Sequence, residues 1–285
     1  MTQKNLAWIT GANGLIGNYL LQSAPQFASA WEVHGLTRAD FDLLDFGAVR
    51  GAFRAQKPQL VIHCAALSRT TLCQADPDLA RRSNVNVTAA LAELAAEIPF
   101  FFFSSDLVFD GQKGNYIETD AVNPLSVYAE TKVAAERIVM ANPRHTVLRT
   151  SLNAGISLTG DRAFNEQLRM AIEAGNTLNL FTDEFRCPIA ASVMARAVWE
   201  LVEKQATGLF HLAGRERLSR YEIGMLLAKR WPLLSPKIVA ASLKTYVGAP
   251  RCPDASMNCA NAQKLLSFPL PRFSEWLSAN PQQRI

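Results

Sequence analysis

Through the first 150 residues, short apolar runs alternate with stretches of helical period. Leu6–Thr10 is a strand-length apolar run followed by glycines, and Leu15–Phe27 then reads as a helix. The alternation continues with strands at Glu32–Thr37, Leu60–Cys64, Pro99–Ser104 and Thr146–Arg149. The helices between them fall at Phe46–Gln56, Asp78–Glu97 and Val127–Met140. Pro99–Ser104 holds four successive phenylalanines, so it is apolar on both faces of a strand. Runs buried on both sides and separated by helices predict a parallel sheet covered by helices.

Past residue 150 the cadence loosens. Helices are predicted at Arg162–Glu173, Ala191–Lys204 and Arg220–Trp231, the last opened by Ser219 as N-cap with Glu222 three residues on. Strands are predicted at Thr177–Phe181 and Leu209–Ala213. Prolines and loops then dominate up to a short final helix near Phe273–Leu277. There is no internal repeat, and no linker separates the second half from the first. The pattern therefore gives an α/β fold, a Rossmann-type doubly wound parallel sheet over residues 1–150 with a small C-terminal lobe over 151–285. Some elements of that lobe are expected to return to the sheet.

The balance of 29 basic against 25 acidic residues is spread along the chain without a block of one sign, which argues against nucleic acid as a partner. No run approaches the ~20 apolar residues that span a bilayer, and the polar Met1–Asn5 start lacks the form of a cleavable signal. Cys64, Cys73, Cys187, Cys252 and Cys259 form no CxxC pair and no metal-ligand cadence. A cytoplasmic protein with reduced thiols and no metal site is expected. His63 ends an apolar strand and reads as a core residue, and His34, His145 and His211 also lie on predicted strands.

Chemistry enters with Thr10-Gly11-Ala12-Asn13-Gly14-Leu15-Ile16-Gly17, which follows a strand and opens a helix. Glycines there let the backbone turn tightly beside a pyrophosphate, and the helix N-terminus presents N–H groups to it. Gly11, Asn13, Gly14, Leu15 and Ile16 are the candidate contacts. After the second strand, where an NAD enzyme places a carboxylate for the ribose 2′-OH, this chain has Thr37 and Arg38, with Asp40 close by. A guanidinium suits a 2′-phosphate, so NADP(H) is expected over NAD(H). Tyr128 and Lys132 stand four apart on a predicted helix and share one face. A cation beside a phenol lowers its pKa toward useful acid–base range.

The G-x-x-G-x-x-G spacing preceded by Thr, the Tyr128/Lys132 pair and Ser104-Ser105-Asp106-Leu107-Val108-Phe109 together resemble the extended short-chain dehydrogenase/reductase family. Within it the chain most resembles dTDP-4-dehydrorhamnose reductase-like proteins. That likeness runs through Ser104–Gly111, Glu118-Thr119-Asp120, Pro124, Val127-Tyr128 and Leu148-Arg149-Thr150-Ser151. The resemblance implies Ser105, Tyr128 and Lys132 as the catalytic set and Ser105 also as a substrate contact. It assigns Ser104 to the cofactor side, Asp42 and Leu43 to the adenine, and Ala65 and Ala66 to the wall along the cofactor. Asn84 matches an asparagine that packs near the active-site strand.

The lobe is then implied to be a substrate-binding lobe, and the substrate a nucleotide-linked 4-keto-6-deoxy sugar reduced with NADPH. A homodimer is compatible with the family. The segment Asp183-Glu184-Phe185-Arg186-Cys187-Pro188-Ile189 and Leu152 depart from the reductase pattern on the expected substrate side. Arg186 is a candidate substrate-phosphate ligand or a structural partner of Asp183 or Glu184. Three alternatives stay open. One is an NAD-dependent epimerase, against which Arg38 stands. Another is a 4,6-dehydratase, whose acidic pair is broken here because Leu107 follows Asp106. The third is a non-catalytic subunit like the regulatory subunit of methionine adenosyltransferase, which the Arg186–Pro188 segment resembles.

Overall fold

The computed structural model describes residues 4–285. Its first half runs β1 (Asn5–Thr10), α1 (Leu15–Phe27), β2 (Trp31–Leu36), α2 (Phe46–Gln56) and β3 (Leu60–His63), then β4 (Phe100–Ser105) and β5 (His145–Thr150). These strands and the Gly208–His211 strand form one parallel sheet in the order Gly208–His211, β5, β4, β3, β1, β2. The order reverses between β1 and β3, which opens a crevice at the carboxyl ends of those strands.

The reason for this sheet is visible in β4. Successive side chains of a strand point to opposite faces. Phe100 and Phe102 therefore pack with Trp8, Val61 and Val147 under α2 and the helices Val87–Leu94 and Val127–Met140. Phe101 and Phe103 pack with Ile9, Ile62 and Leu148 under α1 and the Ala191–Glu203 helix. Trp199 on that last helix gives its indole N–H to the Leu20 carbonyl at 3.1 Å, so the two covering helices are also joined by a buried polar bond.

The long helix predicted at Asp78–Glu97 is broken. Pro77–Arg81 is α-helical, Arg82–Asn86 is a π-turn, and Val87–Leu94 resumes the α-helix, after a separate helix at Thr70–Ala75. Pro77 fixes the start, with Asp76 accepting from the Leu79 amide at 2.8 Å. The π-turn coincides with inward-facing Asn84. Its Oδ1 accepts from the Leu67 amide at 2.8 Å, and its Nδ2 donates to the Leu67 carbonyl at 3.1 Å and to Thr131 Oγ1 at 3.0 Å. A side chain bound inward from several directions is the usual setting for such a bulge.

The second half surrounds a core of Phe164, Ile172, Leu227, Trp231, Phe273, Trp276 and Leu277. The capping box is present: Ser219 Oγ accepts from the Glu222 amide at 3.1 Å, and Glu222 accepts from the Ser219 amide at 2.7 Å. That helix ends at Ala228, with Trp231 in the following turn. A strand the apolar pattern did not mark, Lys237–Ala241, pairs in parallel with Thr177–Phe181. Both are half exposed, so their sequence lacks the apolar contrast of the central strands. Phe185–Arg186 pairs antiparallel with Leu218–Ser219, and Asn153–Ala154 in parallel with Ile189–Ala190.

Candidate active site

The residues singled out in the first half meet at the carboxyl edge of the sheet. Thr10, the last residue of β1, bonds His63 Nδ1 at 2.6 Å, and Thr88 holds the other ring nitrogen at 3.1 Å. His63 is thus a satisfied core residue. Burial, with the Lys132 charge, lowers its pKa to about 3, so it stays neutral. The Thr10–His63 bond pins the two strands that flank the crevice.

Gly11 has φ +69°, and a Cβ there would lie 2.7 Å from the Ala65 amide nitrogen. A Cβ on Gly17 would lie 2.5 Å from the Gly11 carbonyl oxygen. The glycines therefore allow the turn and the helix to close on each other. Gly14 is the N-cap of α1 and brings no side chain to the cap, which leaves the first-turn amides facing the crevice without one. Asn13 and Ala66 are exposed beside this turn, and Leu15, Ile16 and Ala65 are at least partly buried.

At the end of β2, Arg38 is exposed. Asp40 turns its carboxylate back onto Thr37, accepting from the amide at 2.8 Å and the hydroxyl at 2.9 Å, and these bonds hold its pKa down. Asp42 is likewise turned inward on its own loop, accepting from the Leu44 amide at 3.0 Å, and Leu43 is half-buried.

β4 ends in Ser104 and Ser105. Ser104 Oγ is buried and has no hydrogen-bond partner. Ser105 Oγ accepts from the Leu107 amide at 3.2 Å and donates to Asp106 Oδ1 at 3.2 Å. The Val127–Met140 helix brings the other two members. Ser126 caps its start, accepting from the Ala129 amide at 3.3 Å, which sets Tyr128 and Lys132 on the face turned to β4. Lys132 Nζ donates to the Phe103 carbonyl at 2.8 Å and lies 4.6 Å from the Phe102 ring and 5.9 Å from the Tyr128 ring.

Burial pushes the Tyr128 phenol upward, the Ser105 hydroxyl pulls it back, and the charge of Asp106 pushes it up again. Burial lowers Lys132 to about 8, against the opposing pull of Glu136 one turn along. Glu136 is itself held by Arg149 on β5, at 3.0 and 2.7 Å. The arrangement unites a phenol, a hydroxyl and an amine at the carboxyl edge of the sheet, near the glycine turn. Such a set can deliver a proton to an oxygen while a second donor orients it.

Arg186 takes the structural course. Its Nε lies 3.6 Å from Asp106, its terminal nitrogens reach Glu184 at 3.2 Å and the Phe185 and Cys252 carbonyls at 2.8 and 3.0 Å. With its donors committed in a buried network, it is not held free for a substrate phosphate. The partner is Glu184, one of the two carboxylates weighed from the sequence, together with one that was not, Asp106. Sequence reasoning also missed Ser151, which donates to Asp106 Oδ2 at 2.6 Å. The signal in the sequence was its place directly after the Leu148-Arg149-Thr150 strand end, as Asp106 directly follows Ser105; in the structure Ser105 pairs with Thr150.

Residues 6–283 match the RmlD substrate binding domain family. The chain belongs to that family. The RmlD-family chain is 30% identical over 273 residues to the methionine adenosyltransferase 2 subunit beta of Rattus norvegicus, covering 90% of this chain and 81% of that protein. It is 29% identical over 283 residues to a dTDP-4-dehydrorhamnose reductase of Sinorhizobium fredii, covering 94% and 93%. A solved dTDP-4-dehydrorhamnose reductase from Clostridium acetobutylicum superimposes with a TM-score of 0.86 at 26% identity, over 96% of this chain and 97% of that one. Among the described residues no helix of the RmlD-family chain is long and apolar enough to cross a membrane.

Proposed function

We propose that this RmlD-family protein is an NADP(H)-dependent reductase of a nucleotide-linked 4-keto-6-deoxy sugar. The observation that carries the reading is the gathering of Ser105, Tyr128 and Lys132 at the carboxyl edge of the sheet, beside the glycine turn. The likeness to dTDP-4-dehydrorhamnose reductases over nearly the whole chain supports it.

The residues fit a dinucleotide. The glycine cradle leaves no room for a Cβ at Gly11, and Ser104 offers a buried hydroxyl that lacks a partner. Gly11, Asn13, Gly14, Leu15 and Ile16 would hold the pyrophosphate. Arg38 would hold a 2′-phosphate, for which Asp40 offers no competition while it is bound to Thr37. Asp42 and Leu43 would border the adenine, Ala65 and Ala66 the middle of the cofactor, and Ser104, Tyr128 and Lys132 its nicotinamide end. Bound in reduced form, the cofactor supplies the hydride. Ser105 orients the substrate oxygen and Tyr128 gives it a proton. Lys132, anchored on the Phe103 carbonyl beside the phenol, would hold the ribose at the nicotinamide end.

The test is NADPH consumption with a panel of nucleotide-linked keto-sugars, beginning with a dTDP-4-keto-6-deoxy hexose. Turnover that disappears in Tyr128→Phe is the expected result. Tight NADPH binding with no turnover on any member, together with binding to a methionine adenosyltransferase catalytic subunit, would replace this reading by a regulatory one. The similarity to the beta subunit is the observation that favours that second reading.

A further inference from the structure

Ser105 has one proton and more than one claim on it. A hydroxyl carries a single O–H and two acceptor lone pairs. One lone pair receives the Leu107 amide, and the O–H points at Asp106 Oδ1. While Asp106 is ionised it can only accept, so the Ser105 proton is turned away from an oxygen presented to Tyr128. Once Asp106 is protonated its own O–H can donate to Ser105 Oγ, and the Ser105 proton is released toward the crevice.

The surroundings hold Asp106 between those two states. It is 5% exposed. Its Oδ2 accepts from Ser151 at 2.6 Å and lies 3.6 Å from Arg186 Nε. The other ionisable groups that face it are Tyr128 on the Val127–Met140 helix, Glu184 and Cys187 beside the Phe185–Arg186 strand, Arg220 at the head of its helix, and Cys252. Burial raises its pKa. Arg186 and the bonds from Ser151 and Ser105 lower it, Glu184 raises it, and the outcome lies above the ordinary aspartate value.

We propose that Asp106 is a positioning residue whose proton sets the direction of the Ser105 hydroxyl, the protonated form being the one competent for carbonyl reduction. The inference rests on the reductase reading above. Asp106 keeps its proton through turnover, and the proton that ends on the product oxygen leaves Tyr128. Ser151 acts against this form, because its bond favours the ionised carboxylate.

Two measurements test the proposal. The ligand-free protein is labelled with 13C at the aspartate carboxyls and titrated by NMR, with Asp106 assigned by its absence in Asp106→Asn. Asp106 should titrate above the ordinary aspartate range, and at higher pH still in Ser151→Ala. The pH profile of kcat is then recorded on the best keto-sugar. The wild type should lose turnover as pH rises through the Asp106 titration, and Ser151→Ala should keep it to higher pH. Asp106→Asn, whose amide donates to Ser105 at every pH, should lack that limb. It should exceed Asp106→Ala by on the order of 10-fold in kcat, with the two sharing KM. An Asp106 that titrates at or below the ordinary value, or an Asp106→Asn profile with the wild-type limb, would overturn it. Should Asp106→Asn fail to fold, the Ser151→Ala shift decides. Should no keto-sugar be turned over, the reductase reading falls, and the titration with its Ser151→Ala shift still decides whether Asp106 switches.

Discussion

The sheet and the C-terminal lobe are held together by different means. In β4 four consecutive phenylalanines are buried, two on each face, against aliphatic side chains of neighbouring strands. In the second half, contacts of charge join an apolar core around Phe164, Trp231 and Phe273. Glu184 is buried between Arg186 at 3.2 Å and Arg251 at 2.6 Å. Glu216 receives Arg272 and the amide and hydroxyl of Ser274. Arg230 donates to the carbonyls of Leu277, Asn280 and Gln283 and so fastens the last helix and tail. Apolar burial is tolerant of shape so long as volume is kept, whereas a buried ion pair is costly to break from one side. The sheet rests mainly on apolar burial, and the second half adds several buried charge pairs to an apolar core of its own.

The largest expected effect lies where the two regions meet. Tyr128→Phe should lower kcat by on the order of 10²–10⁴-fold, while NADPH affinity measured by calorimetry stays near that of the wild type. A loss of affinity equal to the loss of rate would show the phenol to be part of cofactor binding instead.

Next, Phe101→Ala and Glu184→Gln set one region against the other. Each should cost about 3–5 kcal/mol in urea unfolding, the first through a cavity and the second through two arginines left without their carboxylate. The pair separates by location: Glu184→Gln should open the lobe to limited proteolysis while NADPH still binds, and Phe101→Ala should weaken both halves together. Equal protease patterns in the two variants would mean that the lobe and sheet unfold as one unit.

Arg38→Ala should narrow the preference for NADPH over NADH by about 1.5–3 kcal/mol, read as the ratio of the two Kd values. Equal affinities in the unmutated protein would remove the 2′-phosphate role of Arg38.

A last effect is confined to acid pH and concerns His63, whose folded pKa of about 3 lies below its ordinary value of 6.5. The unfolded chain binds this proton first as pH falls, so stability present above pH 6.5 is lost on the way down toward 3. The contribution is about 1.4 kcal/mol per pH unit in that window, and His63→Asn should flatten the acid limb of a stability–pH curve by this much. An unchanged slope would place the acid sensitivity elsewhere.

These contrasts also explain what could be read in the sequence. The strands of the sheet declare themselves because both faces are apolar, and the glycine turn because Gly11 needs a backbone few other residues adopt. Tyr128 and Lys132 are four residues apart on one helix, so a one-dimensional spacing is also their spatial one. Asp106, Ser151 and Arg186 come together from β4, β5 and a two-residue strand of the lobe. No periodicity links them, so the sequence could mark Asp106 within a motif and Arg186 as a ligand or ion-pair partner without showing that the two meet. The Lys237–Ala241 strand failed to show for the opposite reason, since it buries too little to create a pattern.

The π-turn at Arg82–Asn86 has a consequence for how the chain tolerates changes of length. It holds one residue more per turn than the α-helix on either side. Exposed Arg82 can therefore be exchanged for many side chains at little cost, because only its position in the count matters. Deleting it would restore regular winding and turn the residues on one side by about 100° relative to those on the other. Either Asn84 would leave Leu67 and Thr131, or Ala80 would leave its buried place. At this position a missing residue is far more harmful than a wrong one.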